Sequence, residues 1–278
     1  MPFKTILSIV GINQGADDIR SAIELCRQVE GHLSVLVVSL ASPLPIGDYG
    51  EVVSTAWLQE RQGDLAKLEE QVAKVKALLE PQGISFAVES LYSEYGWADT
   101  QIGERARYAD LVLIGDRAFS DEDLGKSALE GVLFQSPAPV LVTPKAHAAT
   151  LQPRTIMIGW DSRDEAGRAI RAAMELLVKA DSVHIVVVDP DVSPVANGEE
   201  PGADIATYLA RHDVEVIVEV LASGGLTVGE VLRRHASEIG ADMIVMGAYG
   251  HSRMRERIFG GVTRSMLEQT HRPLFLAH

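Results

Sequence analysis

Cysteine is nearly missing from this chain. A lone Cys26 excludes an intramolecular disulfide framework, and its place in an apolar helical pattern reads as a buried structural thiol in a reducing compartment. Positive charge is short as well: 25 Lys and Arg stand against 39 Asp and Glu, a formal net charge of −14. That balance opposes a nucleic-acid partner, since affinity for phosphodiester backbones comes from clustered cations. A bound anion must therefore be gripped locally. Long apolar runs are also lacking. Val35-Leu36-Val37-Val38 and Ile185-Val186-Val187-Val188 fall far below the ~20 residues of a spanning helix, so no membrane partner is expected. Met1-Pro2-Phe3-Lys4-Thr5-Ile6-Leu7 enters a strand pattern at once, leaving no room for a secretion leader. The expected location is cytoplasmic.

What is present suits two packed cores. The 278 residues exceed one compact domain, and 46% hydrophobic residues supply apolar material for both. The halves repeat one plan. Lys4-Thr5-Ile6-Leu7-Ser8-Ile9 matches Arg154-Thr155-Ile156-Met157-Ile158-Gly159, and Ala109-Asp110-Leu111-Val112-Leu113-Ile114-Gly115 matches Ala241-Asp242-Met243-Ile244-Val245-Met246-Gly247. Each half closes on a proline-led apolar strand, Pro139-Val140-Leu141-Val142 and Pro273-Leu274-Phe275-Leu276.

Short Val, Ile and Leu runs alternate with helical periods, the pattern of βαβ units around a parallel sheet covered on both faces. In the second half strands are predicted near 154–160, 183–188, 214–221, 242–246 and 273–277, with helices near 164–179, 203–212, 226–239 and 261–270. A long helix is predicted from about Val52 to Leu79, where Leu65, Leu68, Val72, Val75 and Leu79 recur at three and four residues. The fold expected is α/β: two tandem, open, mainly parallel five-stranded sheets with helices on both faces. The domains run over 1–145 and 154–278, joined by the aperiodic stretch from Lys145 to Pro153. A ligand crevice belongs at the carboxyl ends of the strands, where strand order switches.

One loop stands out there. After Met243-Ile244-Val245-Met246 come Gly247 and Gly250, then nine residues, then Gly260-Gly261-Val262-Thr263 opening a helix. The amides of a first helical turn have no intrahelical acceptor, and glycine lets an anion sit directly on them. Such an anion gains roughly 0.3–1 kcal/mol from the helix dipole, up to about 2 kcal/mol when partly buried. Thr263 offers a hydroxyl, His251 follows Gly250, and Arg253, Arg255 and Arg257 bring positive charge to the loop of an acidic protein. The plainer alternative is that these glycines only end a strand and begin a helix, with the arginines solvated.

These residues resemble the universal stress protein family, whose nucleotide-binding members carry Gly-x2-Gly-x9-Gly-(Ser/Thr). This chain reads Gly247-x2-Gly250-x9-Gly260-Gly261, and the similarity covers the second half and, more weakly, the first. The resemblance implies a tandem member with a fold like the adenine nucleotide alpha hydrolases. It also implies ATP or another adenine nucleotide, with or without Mg2+, held at the phosphates and ribose by Gly247, Gly250, Gly260, Gly261, Val262 and Thr263 beside Met246. Asp161 would meet the adenosine and Val188 the adenine. The plain reading of Asp161 is a cap for the helix after Ser162. Gly261 replaces the usual hydroxyl residue, and Trp160 precedes Asp161 where smaller residues are common; it either stacks on a base or fills its pocket.

The first half reads as a degenerate copy. Gly115-Asp116-Arg117-Ala118 replaces the two-glycine turn, Glu130 is aligned with Gly260, and Gly11-Ile12-Asn13 ends the first strand without an acid. One nucleotide per chain is expected. Ser223-Gly224-Gly225 is similar to the phosphate loop of adenylating ATP pyrophosphatases but lies before a helix rather than after the first strand, and is expected only to start that helix. The eight histidines, among them His184, His212, His235, His251 and His271, show no close pairing along the chain, so no metal site is expected. No nucleophile or base constellation is legible. The expectation is a stress-response sensor or regulator; the alternatives are a nucleotide-independent assembly module and, last, a slow ATPase. The resemblance also implies pairing through the last strands, within the chain and in a homodimer.

Overall fold

The computed structural model describes residues 3–43, 55–144, 148–190, 200–250, 261–269 and 271–278. The first half runs β1 (Thr5–Gly11), α1 (Asp17–Val29), β2 (His32–Ala41), α2 (Thr55–Leu79), β3 (Ser85–Glu94), α3 (Ala98–Ala106), β4 (Leu111–Ile114), α4 (Asp116–Ser120), α5 (Glu122–Gln135) and β5 (Val140–Val142). The second runs β6 (Thr155–Gly159), α6 (Asp164–Lys179), β7 (Ser182–Val188), α7 (Ala203–Ala210), β8 (Val216–Leu221), α8 (Val228–Glu238), β9 (Met243–Gly247), α9 (Gly261–Gln269) and β10 (Leu274–Ala277).

The central strands are apolar because both faces are covered. Every residue of β4, β5 and β10 is buried, as is nearly all of β1. Helices instead bury one stripe. In α6 that stripe is Ala166, Ala169, Ile170, Ala173, Leu176 and Leu177, at helical spacing. Asp164 and Glu165 in its first turn and Lys179 in its last complement the helix dipole.

The repeat is visible as hydrogen bonds. Asp110 Oδ2 accepts from the backbone N–H of Lys4 and Thr5, both at 2.8 Å. Asp242 Oδ2 accepts likewise from Arg154 at 2.9 Å and Thr155 at 3.0 Å. Each aspartate thereby fixes where the first strand of its half begins against the fourth.

Compact units span Phe3–Ala138 and Pro139–His278. In the first, strands run in the order β3-β2-β1-β4; in the second, β5-β10-β9-β6-β7-β8. The α/β class and mainly parallel pairing are as expected, but the division into two five-stranded sheets is corrected: four strands lie in the first unit and six in the second. The reason is β5. It pairs antiparallel with β10, Leu141 opposite Phe275, while β10 runs parallel to β9. Pro139 stands just before β5 and Pro273 just before β10, where a missing N–H costs no ladder bond. The compact units thus divide ahead of β5, whereas the sequence places the boundary in the linker, of which 145–147 lie outside the described residues.

Cys26 is buried, its thiol donating to Gly31 O at 3.0 Å. Burial pushes that thiol above its ordinary range, which suits the structural role expected for it.

Candidate functional site

In the second unit the chain passes outward from β6 to β7 and β8, then returns to β9 on the other side of β6. That reversal opens a crevice at the carboxyl ends of β6, β7 and β9. A cavity of about 320 Å3 lies there, within the size range of small-molecule sites. Gly159, Trp160 and Asp161 line it from the end of β6, Val186 to Pro190 from β7, and Met246, Gly247 and Gly250 from β9 and the turn after it. Val228 and Leu232 of α8 and the first turn of α9, Gly261, Val262 and Thr263, complete it. Asp161, Val188, Met246, Gly247, Gly250, Gly261, Val262 and Thr263 therefore surround one space. His251, Arg253 and Gly260, with Arg255 and Arg257, lie outside the described residues.

Local chemistry explains each placement. Asp161 is not the helix cap: Arg163 holds that position, and Asp161 Oδ1 accepts from Arg163 N–H at 3.2 Å in a turn that puts Ser162 at φ 62°. The Asp161 side chain is 55% exposed, and Arg163 lines the same space. Arg163 was missed in the sequence because only the turn at Ser162 brings it round. Thr263 is buried, and its hydroxyl accepts from Tyr249 N–H at 3.4 Å, so it joins the strand-end turn to α9.

The glycines divide by role. A Cβ on Gly247 would lie 2.5 Å from the backbone nitrogen of Ala166, so glycine here admits the first turn of α6 against β9. Among the described residues nothing lies within 4 Å of a Cβ on Gly261. Ser223-Gly224-Gly225 forms a turn with both glycines at positive φ, and Thr227 then caps α8 in a full capping box with Glu230. Helix initiation is its role. The hydrogen bonds from Thr227 hold the Glu230 carboxyl below its ordinary range.

The walls are mixed: Val186, Val188, Leu232 and Met246 are apolar, with Trp160 beside them, while Asp161, Arg163 and Asp189 form a polar rim. Such a space can hold a flat apolar ring and read hydroxyls at its edge. Gly261, Val262 and Thr263, the first described residues of α9, line it, and the N–H groups of a first helical turn have no intrahelical acceptor.

The corresponding place in the first half is closed. Asp18 of α1, only 4% exposed, accepts from the N–H groups of Arg117 (3.3 Å) and Ala118 (3.0 Å) at the start of α4. Burial raises the Asp18 carboxyl above its ordinary range, and those two bonds partly hold it down. Glu130 does not stand at an anion site. It lies inside α5, whose start is capped by Asp121 accepting from Leu124 N–H at 3.2 Å. A separate cavity of about 530 Å3 in this unit lies toward the amino ends of β1 and β2, with Glu89, Arg105 and Tyr108 on its wall.

Residues 153–278 match the model of the universal stress protein family. The second half of the chain therefore carries a universal stress protein domain. A curated universal stress protein from Synechocystis is 24% identical over 259 residues, covering 88% of this chain and 85% of that protein. Among solved structures, a universal stress protein from Archaeoglobus fulgidus aligns over 98% of this chain and 95% of its own, with 20% identity and a TM-score of 0.70. A Pseudomonas aeruginosa structure described as a putative universal stress protein aligns over 99% and 93%, with 17% identity and a TM-score of 0.59. At these identities the structures establish the fold. A universal stress protein solved in complex with cAMP aligns over 46% of this chain and 98% of its own, with 17% identity and a TM-score of 0.36. Among the described residues no helix is long and apolar enough to cross a membrane.

The structure also joins side chains that the sequence kept apart. His184 and His235 both reach Glu219, at 2.8 and 2.9 Å. Burial pushes the Glu219 carboxyl up, and the hydrogen bonds with His235 and His184 more than reverse this, holding it below its ordinary range.

Proposed function

We propose that the second half of this chain, which carries the universal stress protein domain, binds ATP or a related adenine nucleotide in the cavity after β6, β7 and β9, and that occupancy serves as a signal in a cytoplasmic stress response. The observation that carries the reading is the convergence of Asp161, Val188, Met246, Gly247 and Gly250 with the first turn of α9 on one space. The base would lie against Val186, Val188 and Trp160, with Asp161 at the ribose. The phosphates, carrying Mg2+ or not, would meet the N–H groups beginning at Gly261. Asp161 belongs to the adenosine end in this pose, away from the γ-phosphate where a base or metal ligand for hydrolysis would be needed. Turnover is accordingly slow or nil.

The test has two steps. Mass analysis of ligand released from freshly purified protein identifies any co-purified nucleotide, and calorimetric titration with ATP, ADP and AMP then counts the sites. One site per chain is expected; absence of binding at millimolar nucleotide, or two equivalent sites, would refute it.

A second reading, an assembly module working without nucleotide, has its own support. The outermost strand β8 exposes Ile217 (52%) and Val220 (53%), and exposed apolar edges favour pairing with another chain. Light scattering decides it: a homodimer that persists unchanged with and without ATP favours this reading.

A further inference from the structure

β7 and β8 run parallel with Val186 opposite Glu219. Residues two apart on a strand share a face, so His184 and Glu219 lie on the same side of the sheet. α8 covers that side. Its stripe runs Val228, Leu232, His235: the first two line the nucleotide cavity, and the third lies about one turn farther along. His184 Nδ1 is 2.8 Å and His235 Nε2 is 2.9 Å from the same oxygen, Glu219 Oε2. The three donor atoms lie within 4.8 Å of one another. Their side chains remain 13%, 25% and 11% exposed for His184, Glu219 and His235, so solvent reaches them.

The contacts leave two ways to place the positive charge between these groups. The outer nitrogen of His184 is 2.9 Å from Ser182 Oγ, while that of His235 is 3.5 Å from Glu238 Oε2. His235 therefore has a carboxylate at each ring nitrogen. A neutral imidazole owns one N–H, so either His235 carries a second proton or a cation takes that proton's place between the rings. A metal ion between the three inner atoms is the second arrangement, and the spacing of those atoms suits it. It takes the lone pairs of both rings and Glu219, and leaves His235 Nδ1–H to donate to Glu238, the outer support common to ligating histidines.

The first half shows what this position otherwise holds. There Leu36 lies opposite Glu89, as Val186 lies opposite Glu219, and the carboxylate of Glu89 faces the Arg105 guanidinium at 3.7 Å. Ser34 occupies the strand position of His184, two residues beyond the partner of the first strand's Thr5, as His184 is two beyond the partner of Thr155. A fixed cation neutralises the first carboxylate; two imidazoles bracket the second.

We propose that His184, Glu219 and His235 bind one divalent cation of the Zn2+ class, the two imidazole nitrogens and one carboxylate oxygen leaving further positions to water. The test uses the full chain, stripped with chelator and dialysed against Zn2+, with metal counted by mass spectrometry and Co2+ absorption reporting the ligand field. One Zn2+ per chain is expected to depend on these residues. Glu219→Gln and His184→Gln should each weaken it by more than about 100-fold, and Glu238→Gln, which spares all three ligands, by roughly 10-fold. His212→Gln, whose ring packs on Tyr208, should change nothing. Failure to retain Zn2+ at micromolar free metal would overturn the proposal. So would unchanged affinity in Glu219→Gln with intact circular dichroism; should that variant unfold, unchanged affinity in Glu238→Gln is equally decisive.

Discussion

At the ends of β4 and β9 the two halves meet the same problem with opposite answers. A glycine follows β4 and another ends β9, each beside the first turn of the half's opening helix, because a side chain there would strike it: the Asp18 carboxyl at Gly115, the α6 backbone at Gly247. In the first half that helix sends Asp18 inward, where its carboxylate takes two N–H groups of α4. In the second half no described residue reaches within 4 Å of where a Cβ on Gly261 would stand. An internal carboxylate and an external phosphate are alternative partners for backbone N–H groups of this kind. Duplication thus conserved the scaffold while one copy supplied its own anion.

Four substitutions sharpen that contrast. Gly261→Glu carries a carboxylate to a position that no described residue occupies and should weaken ATP by about 10- to 100-fold, in line with the 1.5–3 kcal/mol of hydrogen bonds to charged groups; calorimetry measures this and circular dichroism checks the fold. Retained affinity would remove α9 from the nucleotide site. Gly247→Ala must displace backbone of α6 and should cost about 1–3 kcal/mol in urea unfolding; a neutral result would show that α6 yields.

Gly261→Ser restores the hydroxyl that the family motif carries, into space that accepts it. One added hydrogen bond is worth about 0.5–1.5 kcal/mol, so ATP should bind several-fold tighter; weaker binding would mean the phosphates lie elsewhere. The smallest effect belongs to Asp18→Asn. Because burial raises the native carboxyl above its unfolded value, the folded state holds the proton more tightly, and stability falls as pH rises through the window just above the ordinary aspartate range. The variant keeps an acceptor for Ala118 N–H and should lose that fall in urea titrations from acid to neutral pH; an unchanged slope would assign it to another group.

Much of the fold is legible because its signals are local. The apolar stripe of α6 repeats within one helix, and the predicted 164–179 coincides with Asp164–Lys179. The long helix is found as Thr55–Leu79 for the same reason. The cavity residues were legible because strand ends, glycines and a helix start fall together in sequence. Glu130 shows the limit: aligned from the glycine loop it matches Gly260, yet α5 begins at its Asp121 cap and carries Glu130 into its interior. Cap chemistry, rather than distance from the loop, sets where that helix starts.

The sequence by itself determined the duplication, the α/β class and the loop that can face an anion, since each rests on periodicity or spacing within a short stretch. Tertiary structure alone decided that β5 pairs with β10, that Asp18 fills the first half's site, and that His184, Glu219 and His235 share one oxygen. Those outcomes depend on register between separate strands and on which helix face covers them, and such choices are made by packing across segments that no local pattern connects.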